Sequence, residues 1–352
     1  MQYNEKNIIE ITDNLRSGDD LNIRELLYLI EQAECEYFFK VARKVCEETF
    51  GNTVYLRALI EFSNFCKSEC LYCGINKTCK IRRYRMNKDE IIDACGKGYA
   101  EGARTFVLQS GEDEYFDEEN MCEIIKGIKK EFSDCAVTLS CGEKAFSTYK
   151  KYREAGCDRY LLRHESSDAA HYSILHNDKR NLSTRIKCLN DLKKLKFQTG
   201  AGFMVGSPYQ TTKNLAEEII FLKKLNPEMV GIGPFIPSEN TFFKNQEPGS
   251  ALMTLKMVAL CRIVLPKALI PATTALGTIK KDGRIAAVKA GANVVMVNFT
   301  PDKYRSAYSL YDGKICKNDE QIDEVSEIKQ KLTENGFSLS FTRGDSPFYK
   351  IN

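Results

Sequence analysis

One junction recurs three times in this chain. "AEGARTFVL", "EAGCDRYLL" and "KAGANVVMV" each end a charged, amphipathic segment at a glycine and enter an apolar, β-prone run about three residues later. Gly102, Gly156 and Gly291 suit the left-handed position that terminates a helix. The same alternation continues from residue 54. It predicts strands at 54–62, 105–111, 136–142, 159–165, 198–206, 229–237, 269–275 and 293–299, with helical periods such as "KDEIIDACGKGYAEG" and "LAEEIIFLKKLN" between them. Strand–helix alternation implies a parallel sheet, and eight such units fit a closed TIM-type (βα)8 barrel. An open doubly wound sheet is the alternative. The division expected is a helical extension over 1–50, a barrel over 51–316 and a C-terminal helix or tail over 317–352.

A barrel places chemistry at the C-terminal ends of its strands and in the loops that follow. The loop after the first strand reads "CKSECLYCGI", with Cys66, Cys70 and Cys73 in a C-x3-C-x2-C spacing. Fourteen cysteines in 352 residues would give that pattern by chance in roughly one chain in fifty. Residues 67–69 are polar, so no apolar period buries all three thiols. Zinc would want a fourth ligand close by, and the surroundings of Cys79 do not resemble a zinc knuckle. An iron–sulfur cluster held by three thiolates leaves one iron open to a ligand.

Composition narrows the class further. The 51 basic and 48 acidic side chains leave a formal charge of +3, no footprint for nucleic acid or an anionic membrane. The first twenty residues carry no signal-peptide core, and no run is long and apolar enough to span a bilayer. A cytoplasmic protein is expected, its cysteines buried, metal-bound or reactive rather than paired.

Three cysteines so spaced after the first barrel strand resemble the radical S-adenosylmethionine (SAM) superfamily. Longer segments are more specific. "RALIEFSNFCKSECLYCGI", "RRYRM", "VLQSGEDEY", "DRYLLRHE", "TGAGFMVGSP", "MVGIGPFIP", "PATTALGTI", "AGANVVMVNFTP" and "YSLYDGKIC" occur in order from about residue 20 to 316. Together they resemble HydE, the radical SAM maturase family of [FeFe]-hydrogenase.

The resemblance implies one [4Fe–4S] cluster on Cys66, Cys70 and Cys73, with SAM as the second cofactor. One electron, from a ferredoxin or flavodoxin, cleaves SAM to a 5′-deoxyadenosyl radical. That radical attacks a cysteine-ligated iron-carbonyl-cyanide precursor made by a companion maturase, on the way to the dithiomethylamine-bridged diiron unit. Ser110, Glu112, Glu165 and Arg185 would hold SAM, with Tyr72 beside the adenine and Met229 nearby. Gln109, Thr138, Arg163, Thr273, Thr274, Tyr308 and Tyr311 match the polar cavity for the substrate. Strand alternation sets Arg163 and Glu165 on one face and His164 on the other. None of His164, His171 and His176 has metal-ligand spacing with the others.

Some HydE members carry a second cluster on C-terminal cysteines. Here Cys316 is the last cysteine, so no second cluster is expected. Biotin synthase needs cysteines and an arginine inside the barrel; the second and fifth strands lack the former and 293–299 the latter. Methylornithine synthase, a single-cluster lysine mutase, is the nearer alternative. A plain electron carrier would not need an arginine–glutamate pair in a barrel mouth.

Overall fold

The computed structural model describes residues 5–18, 21–31, 36–177, 179–314 and 321–349. Three helices, α1 (Glu5–Ser17), α2 (Ile23–Glu31) and α3 (Glu36–Phe50), precede the first strand. The strands are β1 (Thr53–Ser63), β2 (Thr105–Ser110), β3 (Ala136–Ser140), β4 (Arg159–Leu161), β5 (Gln198–Val205), β6 (Met229–Pro234), β7 (Val294–Asn298) and β8 (Ser338–Ser340). Between β1 and β6 run α4 (Lys88–Ala100), α5 (Glu118–Glu131), α6 (Phe146–Glu154), α7 (Ala169–Leu175), α8 (Leu182–Lys194) and α9 (Thr212–Leu225). After β6 follow α10 (Ala251–Val264), α11 (Thr274–Ile279), α12 (Gly283–Lys289), α13 (Asp302–Arg305) and α14 (Gln321–Glu334).

Every ladder is parallel. The order is β6-β5-β4-β3-β2-β1-β7, with β8 on β1 beside this path. The expected α/β TIM-type barrel is present as a curled parallel sheet. The sheet's two ends meet through residues 269–271, which form single bridges Met229↔Leu269 and Pro271↔Val294. The full strand expected over 269–275 does not form. Pro271 has no N–H for a ladder, and Thr273 leaves the strand to cap α11, its side chain accepting from Leu276 N. The Asn293 side chain replaces part of the missing ladder, its Oδ1 accepting from Ile270 N at 2.9 Å. The strand expected at 159–165 also stops early. Glu165 takes φ +64°, which no strand tolerates. The three junction glycines behave as expected: Gly102, Gly156 and Gly291 have φ of +91°, +108° and +107°.

The helices bury their apolar faces against the sheet's outer surface, and α3 packs on α10 and α2 on α9. Inside, one end is closed by the segment after β8. Arg57 donates to Arg343 O at 2.8 Å and Gly344 O at 2.7 Å, while Arg159 pairs with Asp345 at 2.7 Å. These groups sit at the N-terminal ends of the strands. The opposite end stays open. There β6 presents Gly231 and Gly233, where a methyl would stand 3.7 Å from Arg163 Cδ and 3.2 Å from Thr273 Oγ1. These two glycines leave room for polar side chains in the mouth.

Candidate active site

A cavity of about 290 Å³ lies at the C-terminal ends of the strands. Its wall includes thirteen of the sixteen residues singled out from the sequence: Cys66, Cys70, Tyr72, Cys73, Gln109, Ser110, Glu112, Arg163, Glu165, Arg185, Thr273, Tyr308 and Tyr311.

The remaining three lie elsewhere. Met229 opens β6, and the first residue of a parallel strand lies at the end away from the catalytic loops. It packs beside Cys46, Phe50, Leu269 and Val294, so the placement next to Tyr72 is corrected. Met204, near the end of β5, does line the cavity and clusters with Phe235 and Tyr72. Thr138 is buried within β3, its hydroxyl without a hydrogen-bond partner. Thr274 begins α11 behind Thr273 and does not reach the wall.

The cysteine loop is fastened through its backbone carbonyls, which accept from side chains: Asn76 Nδ2 donates to Cys70 O at 3.1 Å. Arg83 donates to the carbonyls of Asn64, Ile75, Asn76 and Cys79. Asp113 accepts from Ser63 at 2.6 Å and from Arg85 at 2.8 and 3.0 Å, fixing the end of β1 to the turn after β2. Gly111 permits the closest approach, since a methyl there would stand 2.6 Å from Cys66 Cβ. Glu112 N lies 3.4 Å from Cys66 Sγ.

Burial, reinforced by the neighbouring thiols, pushes Cys70 up to about 12 and Cys73 well above its ordinary value. Adjacent thiolates here therefore need a compensating positive charge such as a metal cluster. Among the described residues no three His, Cys, Asp or Glu side chains converge as ligands of one ion. Cys66, Cys70 and Cys73 would hold a cluster one thiolate to an iron.

Beside the loop sits a balanced charge nest. Arg180 pairs with Glu112 and donates to Ser68 Oγ at 2.6 Å. Its other nitrogen is 3.4 Å from Glu143. Arg185 donates to Glu143 at 2.5 Å and to Arg163 O at 2.7 Å. Burial alone would raise the Glu112 carboxyl; Arg180 and Arg185 outweigh it and hold it below its ordinary range. Two arginines and two carboxylates thus neutralise one another beside the thiols, and a zwitterion can exchange into such a nest charge for charge.

Across the cavity, Arg163 Nη2 lies 3.0 Å from Glu165 Oε2, without hydrogen-bonding geometry. Arg163 Nε and Nη2 and Glu165 Oε2 are buried with no hydrogen-bond partner. Such groups are costly unless a ligand meets them. His164 points outward as expected, 2.6 Å from Glu218. His176 stacks on Tyr172 with centroids 3.9 Å apart and approaches the Tyr72 hydroxyl at 3.5 Å.

A strap over residues 307–314 carries Tyr308 and Tyr311 to the cavity. It is tied to the cysteine loop by Gly74 N to Leu310 O at 2.9 Å and by Asn64 Nδ2 to Ala307 O at 2.7 Å. Sequence reasoning missed Arg83, Arg180 and Met204. Arg83 stands in the quoted "RRYRM", but nothing there tells which arginine turns inward. Cys316 falls outside the described residues.

The Radical SAM superfamily model matches residues 60–222. Over 295 residues the chain is 46% identical to the [FeFe] hydrogenase maturase subunit HydE of Thermotoga maritima, covering 84% of each. The chain belongs to the HydE family of radical SAM enzymes. It is also 31% identical to 3-methylornithine synthase of Methanosarcina acetivorans, over 90% of this chain and 89% of that one. The crystal structure of methylornithine synthase PylB superposes with TM-score 0.83 at 26% identity, over 94% of this chain and 97% of that one. The maturase HydG of Carboxydothermus hydrogenoformans shares the fold, with TM-score 0.80 at 24% identity over 96% and 80%. Membership brings a [4Fe–4S] cluster and SAM as the family's cofactors. Among the described residues no helix is long and apolar enough to cross a membrane.

Proposed function

We propose that this enzyme performs the HydE reaction: radical modification of a cysteine-ligated iron-carbonyl-cyanide precursor in [FeFe]-hydrogenase maturation. The observation that carries this reading is the 46% identity to a HydE maturase over 84% of both chains. The cavity supports it, with thiols on one wall and, on the other, Arg163 nitrogens that make no hydrogen bond.

In this reading Cys66, Cys70 and Cys73 hold a single cluster. When bound, the cluster and SAM together supply one-electron cleavage to an adenosyl radical. Glu112 and Ser110 receive the SAM ammonium, Arg185 its carboxylate and Glu165 its ribose hydroxyls. Tyr72, backed by Met204 and Phe235, covers the adenine. Gln109, Arg163, Thr273, Tyr308 and Tyr311 hold the precursor. Companion maturases deliver the precursor, and a ferredoxin or flavodoxin supplies the electron.

The identity and fold shared with methylornithine synthase favour one second reading, a carbon-skeleton mutase of lysine. Anaerobic assays with either substrate separate the two. The HydE reading expects adenosyl transfer to the cysteine-bound iron dicarbonyl cyanide and no methylornithine from lysine; the reverse overturns it. Cys70→Ala should abolish 5′-deoxyadenosine formation.

A further inference from the structure

Residues 70–88 contain six basic side chains and no acidic one, in a chain whose charges nearly cancel. Three of the six are committed. Arg83 is spent on the four carbonyls of the cysteine loop, Arg85 pairs with Asp113, and Lys88 with Glu123. The other three, Lys77, Lys80 and Arg82, are exposed. Among the described residues their side chains make no ion pair or hydrogen bond.

Their backbone is fastened to the thiol loop. Lys77 N donates to Ser68 O at 2.8 Å, and Cys79 Sγ lies 3.7 Å from Cys73 O. The three are exposed to solvent, whereas Cys66, Cys70 and Cys73 of the adjoining loop line the cavity. Lys67 and Lys179, paired with Glu114 and Glu69, stand at the same rim.

An electron must reach these cysteines from outside, while SAM and substrate occupy the cavity. Lys77, Lys80 and Arg82 lie within ten residues of Cys73, and the positive charge of this segment is only partly offset, Lys77 acting on the carboxylate of Glu69. We propose that residues 77–82 form the docking face for an acidic one-electron carrier protein. The proposal rests on the reading that Cys66, Cys70 and Cys73 hold the cluster. In the step, the reduced carrier loses one electron and the cluster gains it; no bond forms or breaks. Complementary charge raises encounter rates by about tenfold to a thousandfold and weakens as salt screens it.

The test compares wild-type holoenzyme with K77E/K80E/R82E, and with K44E/K289E as a remote basic control. The probe is a reduced flavodoxin of net negative charge. Readouts are its dissociation constant across a salt series and the stopped-flow rate of cluster reduction, each set against dithionite as a small reductant. We expect flavodoxin binding and flavodoxin-driven reduction to fall at least about tenfold in the triple variant, with dithionite-driven reduction unchanged. The gap should close as salt rises, and K44E/K289E should behave as wild type. K77A/K80A/R82A should fall between. Unchanged flavodoxin rates, equal loss with both reductants, or a short single-stranded RNA binding this face more tightly than flavodoxin would overturn the proposal. Failure of dithionite to reduce any cluster in the wild-type chain would instead overturn the cluster reading.

Discussion

Lys314→Met tests what holds the mouth of the barrel in shape. Lys314 Nζ lies 2.5 Å from Glu61 Oε1 and 2.8 Å from Tyr308 O. The two side chains are only 8% and 1% exposed. Glu61 keeps one other side-chain partner, Asn298 Nδ2 at 2.9 Å. Removing the ammonium strands a buried carboxylate with a single neutral donor, which costs about 3–5 kcal/mol. For a chain of this size the urea slope is roughly 3–4 kcal/mol/M, so the midpoint should drop by about 1 M. Glu61→Gln added to Lys314→Met removes the stranded charge and should recover about 2 kcal/mol of the loss. As a control, Lys213 pairs with Glu217 at 68% and 31% exposure, and Lys213→Met should cost under about 0.5 kcal/mol. Urea unfolding of anaerobic protein, followed by circular dichroism, gives all four values. A Lys314→Met midpoint equal to that of Lys213→Met, or no recovery with Glu61→Gln, would refute the reasoning.

Other consequences follow from the same geometry. Gly111→Ala drives a methyl against Cys66 and should cut bound iron sharply at unchanged far-ultraviolet dichroism, as read by iron analysis. Arg180→Met removes a charge-assisted contact beside Glu112 and should weaken SAM binding by about tenfold or more, measured by equilibrium dialysis. Burial, with Arg185 and Arg180 adding, pushes His176 down to about 3. The unfolded chain therefore takes up this proton first as pH falls, so stability is full above about 6.5 and declines toward about 3, by up to about 1.4 kcal/mol per pH unit. His176→Gln should flatten that slope, narrowing its stability difference from wild type by about 2 kcal/mol between pH 6.5 and 5 in urea titrations.

The barrel was legible because its signals are local. A helix-ending glycine and an apolar run announce a strand whatever the rest of the chain does, and Gly102, Gly156 and Gly291 did so. The strand at 269–275 was over-read because Pro271 and the capping Thr273 act within an otherwise β-prone run. β8 was missed because "SLS" is three residues with no period, and its pairing with β1 joins positions 285 residues apart (Thr53↔Ser338). The thiol site was legible for the same local reason. Met229 was misplaced because position along a strand, not membership in it, sets which end of the barrel a side chain reaches. Arg180 sits in "NDKRN", which reads as a solvated turn; only folding brings it to Glu112, 68 residues away.

The central claim is that three thiolates hold one cluster whose open iron takes SAM. Electron paramagnetic resonance of the anaerobically reconstituted, reduced chain, read beside its iron content, tests this most directly. The account predicts about four irons per chain and a [4Fe–4S]⁺ signal that shifts when SAM is added, with Cys70→Ala losing both signal and shift. About seven to eight irons falling to about four in Cys316→Ala, or a signal indifferent to SAM, would contradict it.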